Sequence, residues 1–290
     1  MDVSIIVPMH ASEAQLLSAC LIASLAQRFE RGRIEVIVVQ FGGGASPPIA
    51  HDPERVRVLA VDHPTPYAAR NVGAAVATGE VFLFTEPGCL PDPEWVAAHV
   101  ERLTNGSATI SVGHVAPERS TRAVDLLLSY ENVRDEWVFT SSRWQSYFGR
   151  PRNMAITRRR FASHGPFVEV PRGADSTFVQ RVARELSCEE IALTPPAIVR
   201  LQGIHGLPSF LRDRFNHAHL LQKHQSGHAA PVMLADRVGL FREAVRRHHY
   251  GPLQAATLLT VLGAGILTFR AGGWSGVVAR RTRGEPRLPG

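Results

Sequence analysis

Short apolar runs at residues 3–9, 34–41, 56–62, 81–86 and 108–115 alternate with helical periodicity at 13–28, 67–78 and 93–103. The first, second and fourth runs are almost continuously apolar, which suits strands covered on both faces. Strand–helix alternation of this kind closes into an α/β architecture, a mostly parallel sheet with crossover helices on its flanks. Ligands on open sheets of this class settle beyond the carboxyl ends of the strands. His10, Gln40, Asp62 and Glu86 stand at or just past those ends, and Pro8 lies two residues before the first of them. The topology alone therefore gives the place where a site is expected.

The second half changes character. Residues 122–140 read as a helix, 153–157 as a short strand, 175–186 as an amphipathic helix, and 191–201 as a strand broken at Pro195-Pro196. Helical patterns follow at 210–225 and 235–249. Residues 252–269 are then nearly uncharged, with Gln254, Thr257, Thr260 and Thr268 as the only polar side chains. This stretch is near the lower limit of about 17 residues for crossing a bilayer. Arginines flank it on both sides, so a membrane-associating helix is expected ahead of a packed one or a full span. The division expected is an α/β domain at 1–205 and a helical region at 206–290, with the membrane-associating segment at 252–270.

Charge supports the same picture. The chain carries 32 Lys and Arg against 26 Asp and Glu, and Lys223 is its only lysine. Nine arginines follow Asp236, faced only by Glu243 and Glu285. A basic tail beside an apolar run favours an anionic membrane surface over nucleic acid, and no stacked-aromatic or basic-helix motif for nucleic acid accompanies it. Cys20, Cys89 and Cys188 lack paired metal-ligand spacing and read as thiols in a reducing cytosol. No basic region with a longer apolar core opens the chain, so a cleaved signal peptide is not expected. The location expected is cytoplasmic, peripheral to the inner face of the membrane.

Three short motifs carry chemistry. Asp175 follows the turn-like Val170-Pro171-Arg172-Gly173 and begins a helix, where spacing alone allows a capping carboxylate or a base. Arg70 and Asn71, in Pro66-Tyr67-Ala68-Ala69-Arg70-Asn71, are read as opening a helix whose N-terminus already favours anions. Glu86-Pro87-Gly88 leads from a strand into an acidic turn ending at Asp92. Together they point to transfer chemistry on a phosphorylated donor. Trp137, Trp144, Tyr147 and Phe148 could stack on a sugar or lipid, but aromatics fill cores more often. His205, His217, His219 and His224 lack acidic or cysteine partners and read as scattered helix-face histidines. Gly42-Gly43-Gly44 runs into Ala45-Ser46-Pro47-Pro48 rather than a helix, so it is a loop near the donor and no dinucleotide fingerprint.

The chain resembles the family-2 glycosyltransferases over roughly residues 2–225. The resemblance rests on Val3-Ser4-Ile5-Ile6-Val7-Pro8, Glu35-Val36-Ile37-Val38-Val39, Ala69-Arg70-Asn71-Val72-Gly73 with Ala77-Thr78-Gly79-Glu80, Cys89-Leu90-Pro91-Asp92-Pro93-Glu94-Trp95, Arg152-Asn153-Met154-Ala155 and Gly173-Ala174-Asp175. It implies a GT-A (Rossmann-like) fold and inverting sugar transfer from a nucleotide-sugar to a polysaccharide, lipid-linked or cell-envelope acceptor. Asp175 would be the general base. Pro8, His10, Gln40, Arg70, Asn71 and Glu86 would lie on the donor side, and Arg152 and Asn153 on the acceptor side. Glu86 would contact a Mg2+ or Mn2+ ion bridging the donor diphosphate. Two departures stand out: Gln40-Phe41 replaces the usual acidic pair, and Glu86-Pro87-Gly88 keeps one carboxylate of the Asp-X-Asp metal motif. Two other readings stay open, a nucleotide-sugar-binding relative without turnover and a nucleotide-dependent oxidoreductase.

Overall fold

The computed structural model describes residues 1–43, 53–63, 65–106, 108–119, 121–203, 206–223 and 232–282. The strands are β1 (Val3–His10), β2 (Ile34–Phe41), β3 (Val56–Ala60), β4 (Val81–Phe84), β5 (Cys89–Pro91), β6 (Ile110–Pro117), β7 (Met154–Thr157) and β8 (Ile191–Leu201). The helices are α1 (Ala14–Leu25), α2 (Pro66–Val76), α3 (Trp95–Asn105), α4 (Arg122–Thr140), α5 (Arg158–His164), α6 (Ala174–Glu185), α7 (Leu207–Lys223), α8 (Leu234–Arg247) and α9 (Pro252–Thr282). Among the described residues the strands form one eight-stranded sheet in the order β3-β2-β1-β4-β7-β6-β8-β5.

The parallel half, β3-β2-β1-β4, follows from the continuous apolar runs. Alternate residues of one strand enter opposite cores: Ile6, Ile37, Phe82 and Phe84 pack on one face with α2 and α6. Ile5, Val7, Val36, Val38 and Leu83 pack on the other with α1 and α3. Pro8 is tolerated in this buried strand because β1 and β4 pair only as far as Ile6 and Phe84. Its missing N–H faces the gap where β4 has already turned away, so no ladder bond is lost.

The other half mixes directions. β7 inserts antiparallel between β4 and β6, β5 runs antiparallel to β8, and β6 and β8 are parallel. Two of these elements correct the sequence reading. The three-residue β5 and the short α5 are additional, too brief to show periodicity. The break expected at Pro195-Pro196 is a bulge: Gly113 pairs with Thr194 and His114 with Ile198, so the strand runs on past the prolines. Pro195 and Pro196 are exposed, where neither needs a donor.

Asn153 holds this bulge in register. Its side-chain Oδ1 accepts from Trp95 Nε1 at 2.7 Å and pairs with His99 Nε2 at 2.8 Å, while Nδ2 donates to His114 O at 2.6 Å and Ala197 O at 2.9 Å. His99 Nδ1 meets Ser111 Oγ at 2.7 Å, and Ser111 meets Thr194 at 2.7 Å. A Cβ on Gly113 would lie 2.3 Å from Ala197 O and 2.4 Å from Asn153 Oδ1, so only glycine fits under the knot. A satisfied network of this kind is stable in a dry core, whereas one unpaired member would be costly.

The last helices form a separate layer. α9 runs 31 residues, about 46 Å at 1.5 Å per residue, and outlasts the 252–270 segment expected from sequence. Its buried stripe, Leu258, Val261, Gly265, Gly272 and Gly276, is narrow. A Cβ at Gly272 would fall 2.3 Å from Phe215 O and one at Gly276 2.2 Å from His219 O, so α9 lies directly on the α7 backbone. The remaining faces expose Leu253, Leu259, Leu267 and Trp274. α9 is long and apolar enough to cross a membrane, with a mean hydropathy of 1.5 over its most apolar window, of which 17% is buried.

Burial holds the His99 imidazole down to about 4, so the folded protein keeps it neutral. In the unfolded chain an ordinary histidine titrates near 6.5. Stability is therefore complete above about pH 6.5 and falls as pH drops towards about 4, by up to about 3 kcal/mol from this group, with no further loss below. Thermal denaturation between pH 7 and 4 is expected to show this slope, and His99→Gln, which keeps a donor and an acceptor, is expected to flatten it.

Candidate functional site

The carboxyl ends of β1, β2 and β4 bring His10, Gln40 and Glu86 to one edge of the sheet, as the topology required. His10 is exposed and caps the following turn: its Nδ1 accepts from Ser12 N–H at 3.3 Å, and its backbone N–H donates to Glu13 Oε2 at 2.9 Å. Its ring leans on Phe41 at 5.7 Å. Gln40 is buried in β2, level with Met9 of β1. Gly42 and Gly43 turn the chain away with φ of 80° and 72°, while Gly44 and the following residues 45–48 lie outside the described residues.

Arg70 and Asn71 do not open α2. Thr65 caps that helix through Ala68 N–H and Pro66 opens it, which puts Arg70 and Asn71 in its second turn. Arg70 is 1% exposed and donates to Glu86 Oε1 at 2.7 Å. Its guanidinium lies over the Tyr67 ring, 5.1 Å from the centroid. Asn71 spends its amide on the segment before α6, accepting from Phe167 N–H at 3.0 Å and donating to Phe167 O at 2.9 Å and Glu169 Oε1 at 3.2 Å. Its role in this structure is to dock that segment.

Glu86 sits just past β4 with Arg152 Nε 3.5 Å from Oε2 and Arg70 at Oε1. Burial opposes its charge, but Arg152, Arg70 and Arg172 together outweigh that and hold the carboxyl below the usual range. Arg172 itself makes no hydrogen bond or ion pair with a described residue. Asp213 and His217 on α7 border the same region: both feel the Arg152 charge, and Arg172 also acts on His217. Desolvation, then Arg172 and Arg152, keep His217 neutral, at about 4, although the residue reaches the surface. His205 and His224 lie outside the described residues.

Asp175 is the second residue of α6. The N-cap is Gly173, in a left-handed conformation with φ 84°, and no side-chain cap bond is present. Asp175 therefore lies inside the first turn rather than at the N-cap, and its carboxylate also accepts from its own backbone N–H. Asp175 is 7% exposed and accepts a hydrogen bond from the Tyr67 hydroxyl. Burial pushes its carboxyl up, and the Tyr67 hydrogen bond and the Arg70 charge only partly offset this. Burial and Asp175 keep the Tyr67 hydroxyl protonated. Gly149 crosses directly over Asp175, since a Cβ there would lie 2.6 Å from the Asp175 backbone carbon. One polar chain, Asp175–Tyr67–Arg70–Glu86–Arg152, therefore joins the head of α6 to the strand-end turn.

The sequence reading gave no role to Tyr67, Gly149 or Arg172. Tyr67 and Arg172 lay inside motifs already singled out, next to Arg70 and Gly173, and only their side-chain directions were missing. Asn153 is not placed to meet an acceptor: it is fully buried and every polar atom of its amide is engaged. Tyr147 is likewise core, donating to Ser141 O at 2.7 Å. Cys20 and Cys89 are buried, and burial pushes both thiols up, Cys89 to about 12, which makes them inert.

The residues present do not fit a divalent cation. Glu86 offers one carboxylate with a guanidinium at each oxygen, and hard cations of this type want several oxygen ligands. Among the described residues no group of three or more His, Cys, Asp or Glu is placed to hold a metal.

Comparison with known proteins gives a consistent picture. The family model described as glycosyl transferase family 2 matches residues 4–162, more than half of the chain. Glycosyltransferase AglE of Haloferax volcanii is 28% identical over 119 residues, which is 39% of this chain and 39% of that protein's length. The mannosyltransferase PcManGT of Pyrobaculum calidifontis, solved with GDP-Man and Mn2+, superposes with a TM-score of 0.53 at 18% identity, covering 97% of this chain and 86% of that one. Glucosyl-3-phosphoglycerate synthase of Mycobacterium tuberculosis, solved with Mn2+, UDP-glucose and phosphoglyceric acid, gives 0.50 at 16% identity over 80% and 87% of the two chains. These structural likenesses establish the GT-A fold.

Proposed function

The chain belongs to glycosyl transferase family 2, and from that premise we propose that it moves a sugar, with inversion at the anomeric carbon, from a nucleotide-sugar donor to a glycan or lipid-linked acceptor. Family membership leaves the oxidoreductase reading without support. The observation that carries the proposal is the buried Asp175 carboxylate, tied through Tyr67 and Arg70 to Glu86 at the strand ends.

Inversion needs one base to take the acceptor hydroxyl proton while that oxygen attacks the anomeric carbon. Asp175 suits this role because burial makes it a stronger base than an ordinary aspartate, and Tyr67 fixes its direction. On the opposite side the bond from the anomeric carbon to the diphosphate oxygen breaks, and its electron pair leaves with the nucleotide. Fixed positive charge aimed at that oxygen stabilises the transition state without reorganisation. Arg152 and Arg172 supply such charge beside Glu86, and Arg70 holds Glu86 from behind. Pro8, His10 and Gln40 border the same edge and are assigned to the nucleotide side. Arg152, expected on the acceptor side, lies at Glu86 and is assigned here to the donor side, while Asp213 and His217 border the side left for the acceptor. Alternatively, the chain binds nucleotide-sugars without turnover, a reading favoured by Gly88 and Gln40 where acids are usual.

Asp175→Asn is expected to lower kcat on the order of 10²–10⁴-fold. Melting temperature and nucleotide binding should change little, since an amide oxygen still accepts from Tyr67. Retained transfer by this variant would remove Asp175 from the role. Asp175 must be ionised to act, so activity is lost as pH falls through a pKa above the ordinary aspartate range. Tyr67→Phe removes a hydrogen bond that lowers this pKa, so the acid limb of kcat/KM should move to higher pH. An unmoved limb would show that Tyr67 does not set the base.

The acceptor side is assigned to a membrane surface on the cytoplasmic face, because α9 exposes Leu253, Leu259, Leu267 and Trp274 and carries Arg270, Arg280 and Arg281. Apolar burial and anionic headgroups would act together there. Vesicles of phosphatidylglycerol should shift the tryptophan emission to the blue, and Trp274→Phe should abolish most of that shift. Emission indifferent to lipid would exclude this surface.

A further inference from the structure

We propose that this chain neutralises the donor diphosphate with fixed guanidinium groups, chiefly Arg152 and Arg172, in place of a divalent cation; the inference rests on the nucleotide-sugar reading above. The first ground is the donor set at Glu86. A cation at Oε1 would meet Arg70, which donates to that oxygen at 2.7 Å, and one at Oε2 would meet Arg152 at 3.5 Å. Gly88, two residues on, offers no second carboxylate. Mg2+ and Mn2+ are held by oxygen atoms in near-octahedral sets, so the position repels the ion it would need to coordinate.

Charge balance is the second ground. Arg70, Arg152 and Arg172 all act on the Glu86 carboxylate, and Asp175, ionised as a base must be, acts on Arg152 and Arg70, so three guanidiniums and two carboxylates leave a local net charge of +1. Asp213 is exposed, so solvent screens its field at Arg152, and it forms no ion pair with a described residue. His217 is neutral and adds nothing. The diphosphate of a nucleotide-sugar carries two ionised oxygens and gains a further negative charge as the sugar departs. The cluster therefore offsets part of the bound donor's charge and attracts the leaving group more strongly as that charge grows.

Arg172 provides the third ground. It is half-buried, it has no hydrogen-bond acceptor among the described residues, and it immediately precedes Gly173 at the head of the Asp175 helix. A guanidinium presents a rigid fork of donors that matches phosphate oxygens. An anion bound there would satisfy donors that the protein leaves unmet, and it would lie within the same short segment as the base. The electron pair of the breaking bond passes to the diphosphate oxygen facing these arginines, and the acceptor proton passes to Asp175, so no metal is needed to balance the step.

Titration calorimetry of the full chain with UDP and GDP, in EDTA and in Mn2+, tests this directly. The expected result is the same affinity in both conditions for whichever nucleotide binds. Arg172→Gln, which breaks no hydrogen bond or ion pair to a described residue, should weaken binding in EDTA on the order of tenfold, the worth of one charge-assisted hydrogen bond. Gly88→Asp gives a complementary readout: a Cβ there would meet only Leu16 Cδ1 at 3.5 Å, an ordinary contact, so the fold should tolerate it. That variant should bind diphosphate more weakly in EDTA and recover with Mn2+. Binding that disappears in EDTA and returns with Mn2+ in the unaltered chain would overturn the metal-free assignment while leaving the nucleotide-sugar reading intact. Unchanged binding by Arg172→Gln would also overturn it. If neither nucleotide binds in either condition, the nucleotide-sugar reading falls and this inference falls with it.

Discussion

The Arg70–Glu86 pair organises the site. A guanidinium that is 1% exposed needs an anionic partner, because an uncompensated buried ion costs several kcal/mol. Glu86 provides that partner from the turn after β4, so the second turn of α2 is fixed to the strand ends. Tyr67 lies beneath the same guanidinium and points its hydroxyl at Asp175. One ion pair thus sets the distance between the acidic turn and the head of α6, two elements about ninety residues apart in the chain.

A second buried polar centre does comparable work for the sheet. Asn153 gives both halves of its amide to Trp95, His99, His114 and Ala197, and it thereby pins a bulge in β8 against Gly113. β7 follows directly from Asn153 and pairs with β4, whose end carries Glu86. The precision of the strand-end turn therefore depends on a polar knot on the far side of β7. Such a knot contributes through satisfaction of every donor and acceptor, since burial alone would make it unfavourable.

Much of this was legible in the sequence. Unbroken apolar runs such as Ile5-Ile6-Val7 and Val36-Ile37-Val38-Val39 mean a strand buried on both sides, and the parallel half of the sheet follows. The strand ends in turn located Glu86 and His10. Asp175 was readable as a chemical group, but its place inside the first turn depended on Gly173 taking the N-cap in a left-handed conformation. Asn153 was misplaced because a polar residue before a strand resembles a surface contact unless its four partners, drawn from three distant segments, are known. Arg70 was read as opening α2, because the Thr65 cap and the start at Pro66 lie four to five residues earlier, and its burial is explained by the distant Glu86 and the Tyr67 ring. The prolines of β8 read as a stop because a ladder break and a bulge have the same local composition.

The glycine seam between α7 and α9 has a mechanical meaning. Gly272 and Gly276 rest on the carbonyls of Phe215 and His219 with no side chain between them, so the two helices have little room to slide or roll independently. α7 carries Asp213 and His217 towards Arg152 and Arg172. With α9 lodged in a lipid layer, α7 would act as a stiff lever whose inclination follows the bilayer. On the membrane reading proposed above, the approach to the sheet edge beside Asp213 and His217 would then be aimed by the depth and tilt of α9.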